Sequence, residues 1–168
     1  MNIVKLYNMQ KELDDRIIEK HGLRGQDLLP NTVLALQIEH CELFNEWRGF
    51  KHWSKDQEPR RRNMITEASD CLHFFLSIAQ QLDIPAENLS TYDDSFEGST
   101  PVLLSELLIT IGLINTYEDR YRKVYAFRNA WFLFWNILEQ RLQIYPDDLY
   151  QAYLDKNAEN HKRQDTGY

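Results

Sequence analysis

The chain has 168 residues, 43% of them apolar and 12% aromatic, with a formal net charge of −7. That length suits one domain with a real core, and the apolar content excludes a disordered chain. The acidic balance argues against a groove for a nucleic-acid polymer, no apolar run reaches the length of a membrane span, and the start Met1-Asn2-Ile3-Val4-Lys5 lacks a signal-peptide pattern.

Residues 3–20 read as an amphipathic helix with Ile3, Leu6, Tyr7, Met9, Leu13 and Ile17 apolar, ended by His21-Gly22. Asn31, after Pro30, is expected to cap a second helix that runs to about Arg48, with Gly49 closing it. The connection 49–60 is rich in aromatics and cations, as functional or mobile loops often are. A third helix covers about 61–82, with Ile65, Ala68, Leu72, Phe75, Ala79 and Leu82 alternating by three and four. Residues 83–100 are polar and without period, a loop that ends on Thr100 as cap and Pro101 at the first helical position. Helices follow at 101 to about 122 and near 124–142, and Pro146 starts a last one with Leu149, Tyr150 and Tyr153 inward. Cys41 and Cys71 read as small core residues of a cytoplasmic protein without a disulfide. The expected architecture is all-α, a single helix bundle of about six helices.

Two acidic signatures stand inside these helices. Glu39-His-Cys-Glu42, with Glu46 one turn on, forms one stripe, and Glu67-Ala-Ser-Asp70 forms another that continues through Phe74 and Ser77. Either the acids face water, the usual fate of charged side chains, or the stripes face each other and share divalent cations. Only oxygen donors are offered, which suits hard ions such as Mg²⁺ or Mn²⁺.

The tail carries a third pattern. Lys156, Asn160 and Arg163 fall at i, i+4 and i+7, so a persisting helix sets an ammonium, an amide and a guanidinium on one face. That set suits phosphate oxygens; the alternative is a solvated, frayed terminus. The two patterns fit together. A carboxylate cage repels a polyphosphate unless cations stand between them, and a nearby basic face neutralises the outer phosphates. Metal-assisted hydrolysis of a nucleotide phosphoanhydride is the chemistry this combination serves.

The run from Ala35 to Ser54, including Glu39, Glu42, Asn45, Glu46, Arg48, Lys51 and Trp53, resembles the metal-binding helix and following loop of the dimeric all-α dUTPases. These belong to the all-α nucleoside triphosphate pyrophosphatases, whose signature is E-x-x-E, a spacer, then E-x-x-D. Glu67 to Ser77 resembles the second half, and Lys156-Asn157-x-x-Asn160-x-x-Arg163-Gln164-x-x-Gly167-Tyr168 is similar to the C-terminal motif of versions from Gram-positive bacteria and their phages. Gln10-x-x-Leu13-Asp14 matches where that family contacts the base, whereas about 83–150 matches only in helical character.

The resemblance implies Mg²⁺-dependent hydrolysis of dUTP to dUMP and pyrophosphate by a homodimer. Glu39, Glu42, Glu67 and Asp70 would ligate Mg²⁺, two or more ions, and Glu39 or Glu42 would take the proton of the attacking water. Lys156, Asn160 and Arg163 would hold phosphates, and 156–168 would close as a lid. For the base, Gln10 is the amide able to match uracil with one acceptor and one donor, with Asp14 nearby and Asn8 as the alternative. His73 and Phe74 offer rings to the base or ribose, although His73 equally fits a satisfied core position, and Trp53 either covers the base or anchors its loop. Glu46 is expected to support the ligands rather than join them or stand in solvent, and Arg60, Arg61 and Arg62 to be a solvated helix start rather than a phosphate site. Trp131, Trp135 and Tyr125 are the expected aromatic candidates for a dimer interface. A broader dNTP pyrophosphatase acting also on dCTP, or a catalytically silent regulatory helix bundle, are the competing readings.

Overall fold

The computed structural model describes residues 1–90, 94–95 and 97–167. Among them are six α-helices and one 3₁₀ turn: α1 (Ile3–Lys20), α2 (Leu29–Trp47), α3 (Arg61–Gln81), the turn Ala86–Asn88, α4 (Thr100–Thr116), α5 (Arg120–Gln140) and α6 (Pro146–Thr166). The all-α expectation holds, and no strand occurs among the described residues.

The bundle is built on α3. Its residues from Ala68 to Ala79 are buried apart from Phe74, which is half-buried. The helix packs against α1, α2 and α6, while α4 lies on α2 and α5 on α4. Rings bridge α3 to α5: Phe75 meets Phe127, Trp131 and Phe134 at centroid distances of 5.9, 5.5 and 4.9 Å. Edge-to-face packing of this kind adds to the area that each ring buries.

Several boundaries differ from the sequence expectation for local reasons. The second helix starts at Leu29 rather than after Asn31, because the Asp27 carboxylate accepts the Leu29 N–H at 3.1 Å. Pro30 then falls in the first turn, where no N–H is required. At the other end Arg48 adopts the left-handed conformation (φ 63°). Gly49 is needed for a different reason: a Cβ there would overlap the Trp47 indole. The fourth helix stops at Thr116 instead of running to about 122, because Asp119 caps α5 by accepting the Arg122 N–H at 2.9 Å. In the expected 83–100 loop, Ile84, Ala86 and Leu89 are buried around the 3₁₀ turn, and residues 91–93 and 96 lie outside the described set.

Two further expectations are corrected. Trp131 and Trp135 belong to the core of the single chain, 4% and 5% exposed, and so are not free to form a subunit interface; Tyr125 is exposed. Cys41 is exposed rather than a core residue, whereas Cys71 is buried, and both are free thiols. No helix among the described residues is long and apolar enough to cross a membrane.

Candidate active site

The acid cluster forms where α2 crosses α3. On α2, the buried Leu36, His40 and Leu43 fix the rotation of the helix and leave Glu39 half-buried at its edge. His40 is a core residue: its Nδ1–H donates to the Leu36 carbonyl at 2.8 Å, and its ring meets the edges of Phe44, Phe75 and Phe134. Burial pulls its pKa down to about 4, so it is neutral. On α3, the buried face carries Asp70 inward with Ala68 and Leu72.

Carboxylate oxygens of Glu39, Glu67 and Asp70 all come within 4.8 Å of one another. Glu42 is exposed and outside this close group, though its charge acts on both Glu39 and Glu67. Burial, then the charges of Asp70, Glu42 and Glu67, raise the Glu39 pKa to about 7. Glu67 is raised by burial and then by Asp70. Asp70 is raised by burial, against the pull of Lys156, whose ammonium lies 2.7 Å from its Oδ2. Three acids crowded until they resist ionising form a site short of positive charge.

A cavity of about 780 Å³ opens beside the cluster. Glu39 and Asp70 line it, as do Lys156, Asn160 and Arg163 from α6. Gln10 and Asp14 of α1 line it too, with His73, Phe74 and Ser77 of α3. Phe74 and Ser77 prolong the Asp70 stripe as the periodicity predicts.

Glu46 is tied up beside the cluster, accepting from Asn63 at 2.9 Å and pairing with Arg60 at 3.6 Å. Arg61 binds Asp148 at 2.9 Å and so joins the starts of α3 and α6. Trp53 is 68% exposed against Phe50 and His52, and does not line the cavity. The tail is helical through Thr166, not frayed: Arg16 pairs with Asp165 and donates to the His161 carbonyl at 3.1 Å, and Lys20 reaches the Gln164 carbonyl. Tyr168, the last residue of the tail motif, lies outside the described residues.

The N-terminal side of the cavity holds a network that sequence reasoning did not resolve. The Gln10 amide oxygen accepts from His73 Nδ1 at 2.6 Å and from the Tyr153 hydroxyl at 3.0 Å. That hydroxyl proton is shared with the Leu6 carbonyl at 3.1 Å. Gln10 Nε2 donates to Asp14 Oδ1 at 2.8 Å. The His73 ring stacks on Tyr153 with centroids 3.9 Å apart, so that face is not open to a base. Burial pulls the His73 pKa down to about 3, with Lys156 adding to the effect, and raises Asp14 to about 6 against hydrogen bonds from Ser77 and Gln10. Tyr153 read as one more inward aromatic of α6; only its hydroxyl distinguishes it from Phe in such a pattern.

A family model described as dUTPase matches residues 2–168. The chain belongs to the dUTPase family. No curated protein matches it. As a dUTPase it is a dUTP diphosphatase, hydrolysing dUTP to dUMP and pyrophosphate, in a family that is generally metal-dependent. The dUTPase match runs through the bundle, including the α4–α5 region in which the sequence showed only helical character.

Proposed function

We propose that this dUTPase works with Mg²⁺ held by Glu39, Glu67 and Asp70, with Glu42 completing the set. The observation that carries this reading is the meeting of three carboxylates within 4.8 Å beside a cavity that Lys156, Asn160 and Arg163 also line. The donor set is all oxygen and its acids are pushed toward the neutral form, the condition a hard divalent cation relieves. When bound, such an ion supplies Lewis acidity at phosphate oxygens and offsets the repulsion between the acids and a triphosphate.

The chain's own groups do the rest. Glu39 takes the proton of the water that attacks phosphorus, a task suited to a carboxylate whose pKa lies near 7. Lys156, Asn160 and Arg163 bind phosphate oxygens from α6, and pyrophosphate leaves against them. Lys156 neutralises Asp70 at 2.7 Å; with a cation held by Glu39, Glu67 and Asp70, its ammonium would be free to turn to a phosphate. The tail 156–168 acts as a lid through this exchange of partners, and the uracil lies against Gln10, Asp14 and Phe74. The expected profile is Mg²⁺-dependent cleavage of dUTP, at least about tenfold faster in kcat/KM than dCTP, dTTP or UTP, and lost in EDTA. Equal rates on dUTP and dCTP would replace uracil specificity with a broader dNTP activity; no turnover of any nucleotide with Mg²⁺ would leave a regulatory bundle.

We also propose a homodimer through the α2–α4 face. Leu34 and Ile38 on α2 are 54% and 50% exposed, and Val102 and Ile109 on α4 are 60% and 66% exposed. Cys41 and Leu108 line the same surface beside Glu42, so the interface would adjoin the metal site. Apolar exposure on two packed helices is the usual mark of an interface. Ile38→Glu is expected to convert a dimer into a folded monomer in sedimentation velocity. A dimer that survives it points to another face.

A further inference from the structure

We propose that His73 and Tyr153 are positioning residues for base selection, locking the Gln10 amide so that it can only donate to a base, while Asp14 beside it supplies the acceptor. The inference rests on uracil lying against Gln10 and Asp14 and deepens that reading. It departs from the expectation that Gln10 alone offers both an acceptor and a donor.

Lone pairs and protons set which way the amide faces. An amide oxygen has two lone pairs, and that of Gln10 meets His73 Nδ1–H at 2.6 Å and the Tyr153 hydroxyl at 3.0 Å. Its nitrogen has two protons, and one goes to Asp14 Oδ1 at 2.8 Å. What remains is one N–H on Gln10 and lone pairs on the Asp14 carboxylate, and both residues line the cavity. Turning the amide over would set its NH₂ against His73 Nδ1 and the Tyr153 hydroxyl and its oxygen against the Asp14 carboxylate. The oxygen would then meet a carboxylate, and His73 could accept the amide N–H only by moving its proton to Nε2, which is buried without a partner, the setting in which such mismatches cost most. The lock is itself rigid. The His73 ring is stacked on Tyr153, and its Nε2 is buried without a partner, so the single proton of the neutral ring belongs on Nδ1, where Gln10 accepts it.

A fixed donor beside a fixed acceptor reads uracil directly. O4 accepts from Gln10 and N3–H donates to Asp14. Cytosine reverses both positions: its amino group faces the Gln10 N–H and its N3 lone pair faces the Asp14 carboxylate. Buried polar pairings of this kind discriminate far better than an apolar wall does.

The test compares kcat/KM for dUTP and dCTP in the wild type, Gln10→Ala, His73→Phe, His73→Asn and Tyr153→Phe. His73→Phe keeps the stack and removes the donor, and Tyr153→Phe removes only a hydroxyl. His73→Phe is expected to lower the dUTP-over-dCTP preference about tenfold, chiefly through KM, as the freed amide samples both orientations, and Tyr153→Phe, which leaves the His73 donor in place, is expected to lower it less. His73→Asn, whose amide nitrogen can stand where Nδ1 does, is expected to restore most of the preference. An unchanged preference in folded His73→Phe overturns the lock, and should His73→Phe not fold, His73→Leu, which also removes the donor, decides in its place. If Gln10→Ala leaves the KM for dUTP as it was, the base lies elsewhere and the placement fails before the lock is at issue.

Discussion

Glu39→Gln is expected to remove turnover while making the metal-free protein harder to melt. Loss of the group that takes the water's proton costs about 10²–10⁴-fold on its own, and loss of a ligand adds to that. The gain in stability follows from the pKa of about 7, raised by burial and by the surrounding acids. A folded-state value above the unfolded one means that the native state holds the proton more tightly. The stabilising contribution is therefore complete below about pH 4.5 and is lost as pH rises through 7. At pH 8 the metal-free wild type carries a strained charge that Gln does not. For a half-exposed group, after allowance for solvent screening, the relief is on the order of 1 kcal/mol, or about 2–4 °C in Tm. Thermal melts in EDTA at pH 5.5 and pH 8 measure it: the wild type loses Tm between the two, and the variant loses less. A variant that melts earlier than the wild type at pH 8 would show that Glu39 supports the fold, and the assignment to chemistry would go with it.

Lys156→Met is expected to do the reverse to the metal-free protein. The Lys156–Asp70 pair is mostly covered, with side chains 18% and 11% exposed. Removing one partner leaves a covered carboxylate without compensation, although protonation of Asp70 limits the penalty to about 2–3 kcal/mol. Tm in EDTA should fall by about 4–12 °C. Millimolar Mg²⁺ should recover much of this, because the ion compensates Asp70 in place of the ammonium. With dUTP, kcat/KM should fall about 10²-fold, since a phosphate loses its cation. A drop in Tm that Mg²⁺ does not touch would separate Asp70 from the metal site.

Much of the fold was legible because its signals are periodic. Of the predicted stripe, Ala68, Leu72, Phe75, Ala79 and Leu82 are buried and Ile65, at its start, is half-buried, while Glu67, Asp70, Phe74 and Ser77 fall on the site's side of the same helix. Helix ends were less legible because a single side chain decides them: Asp27 and Asp119 set the starts of α2 and α5, and each resembles any other loop aspartate. Trp131 and Trp135 show a limit of another kind. Spacing reports that a residue is buried, but not whether by its own chain or by a second copy. The Gln10–His73–Tyr153 contact joins residues 63 and 143 positions apart, so no local pattern announces it.

Tyr153, Lys156, Asn160 and Arg163 all stand on the unbroken α6. On the proposed placement one stiff rod would gauge a nucleotide at two distant points, at the amide set against its ring and at the charges set against its far oxygens. At about 1.5 Å per residue the interval from Tyr153 to Arg163 is about 15 Å, and it cannot stretch. A single residue inserted after Leu154 would swing the charged side by about 100° relative to Tyr153, leaving a protein that still senses the ring but no longer grips what is attached to it.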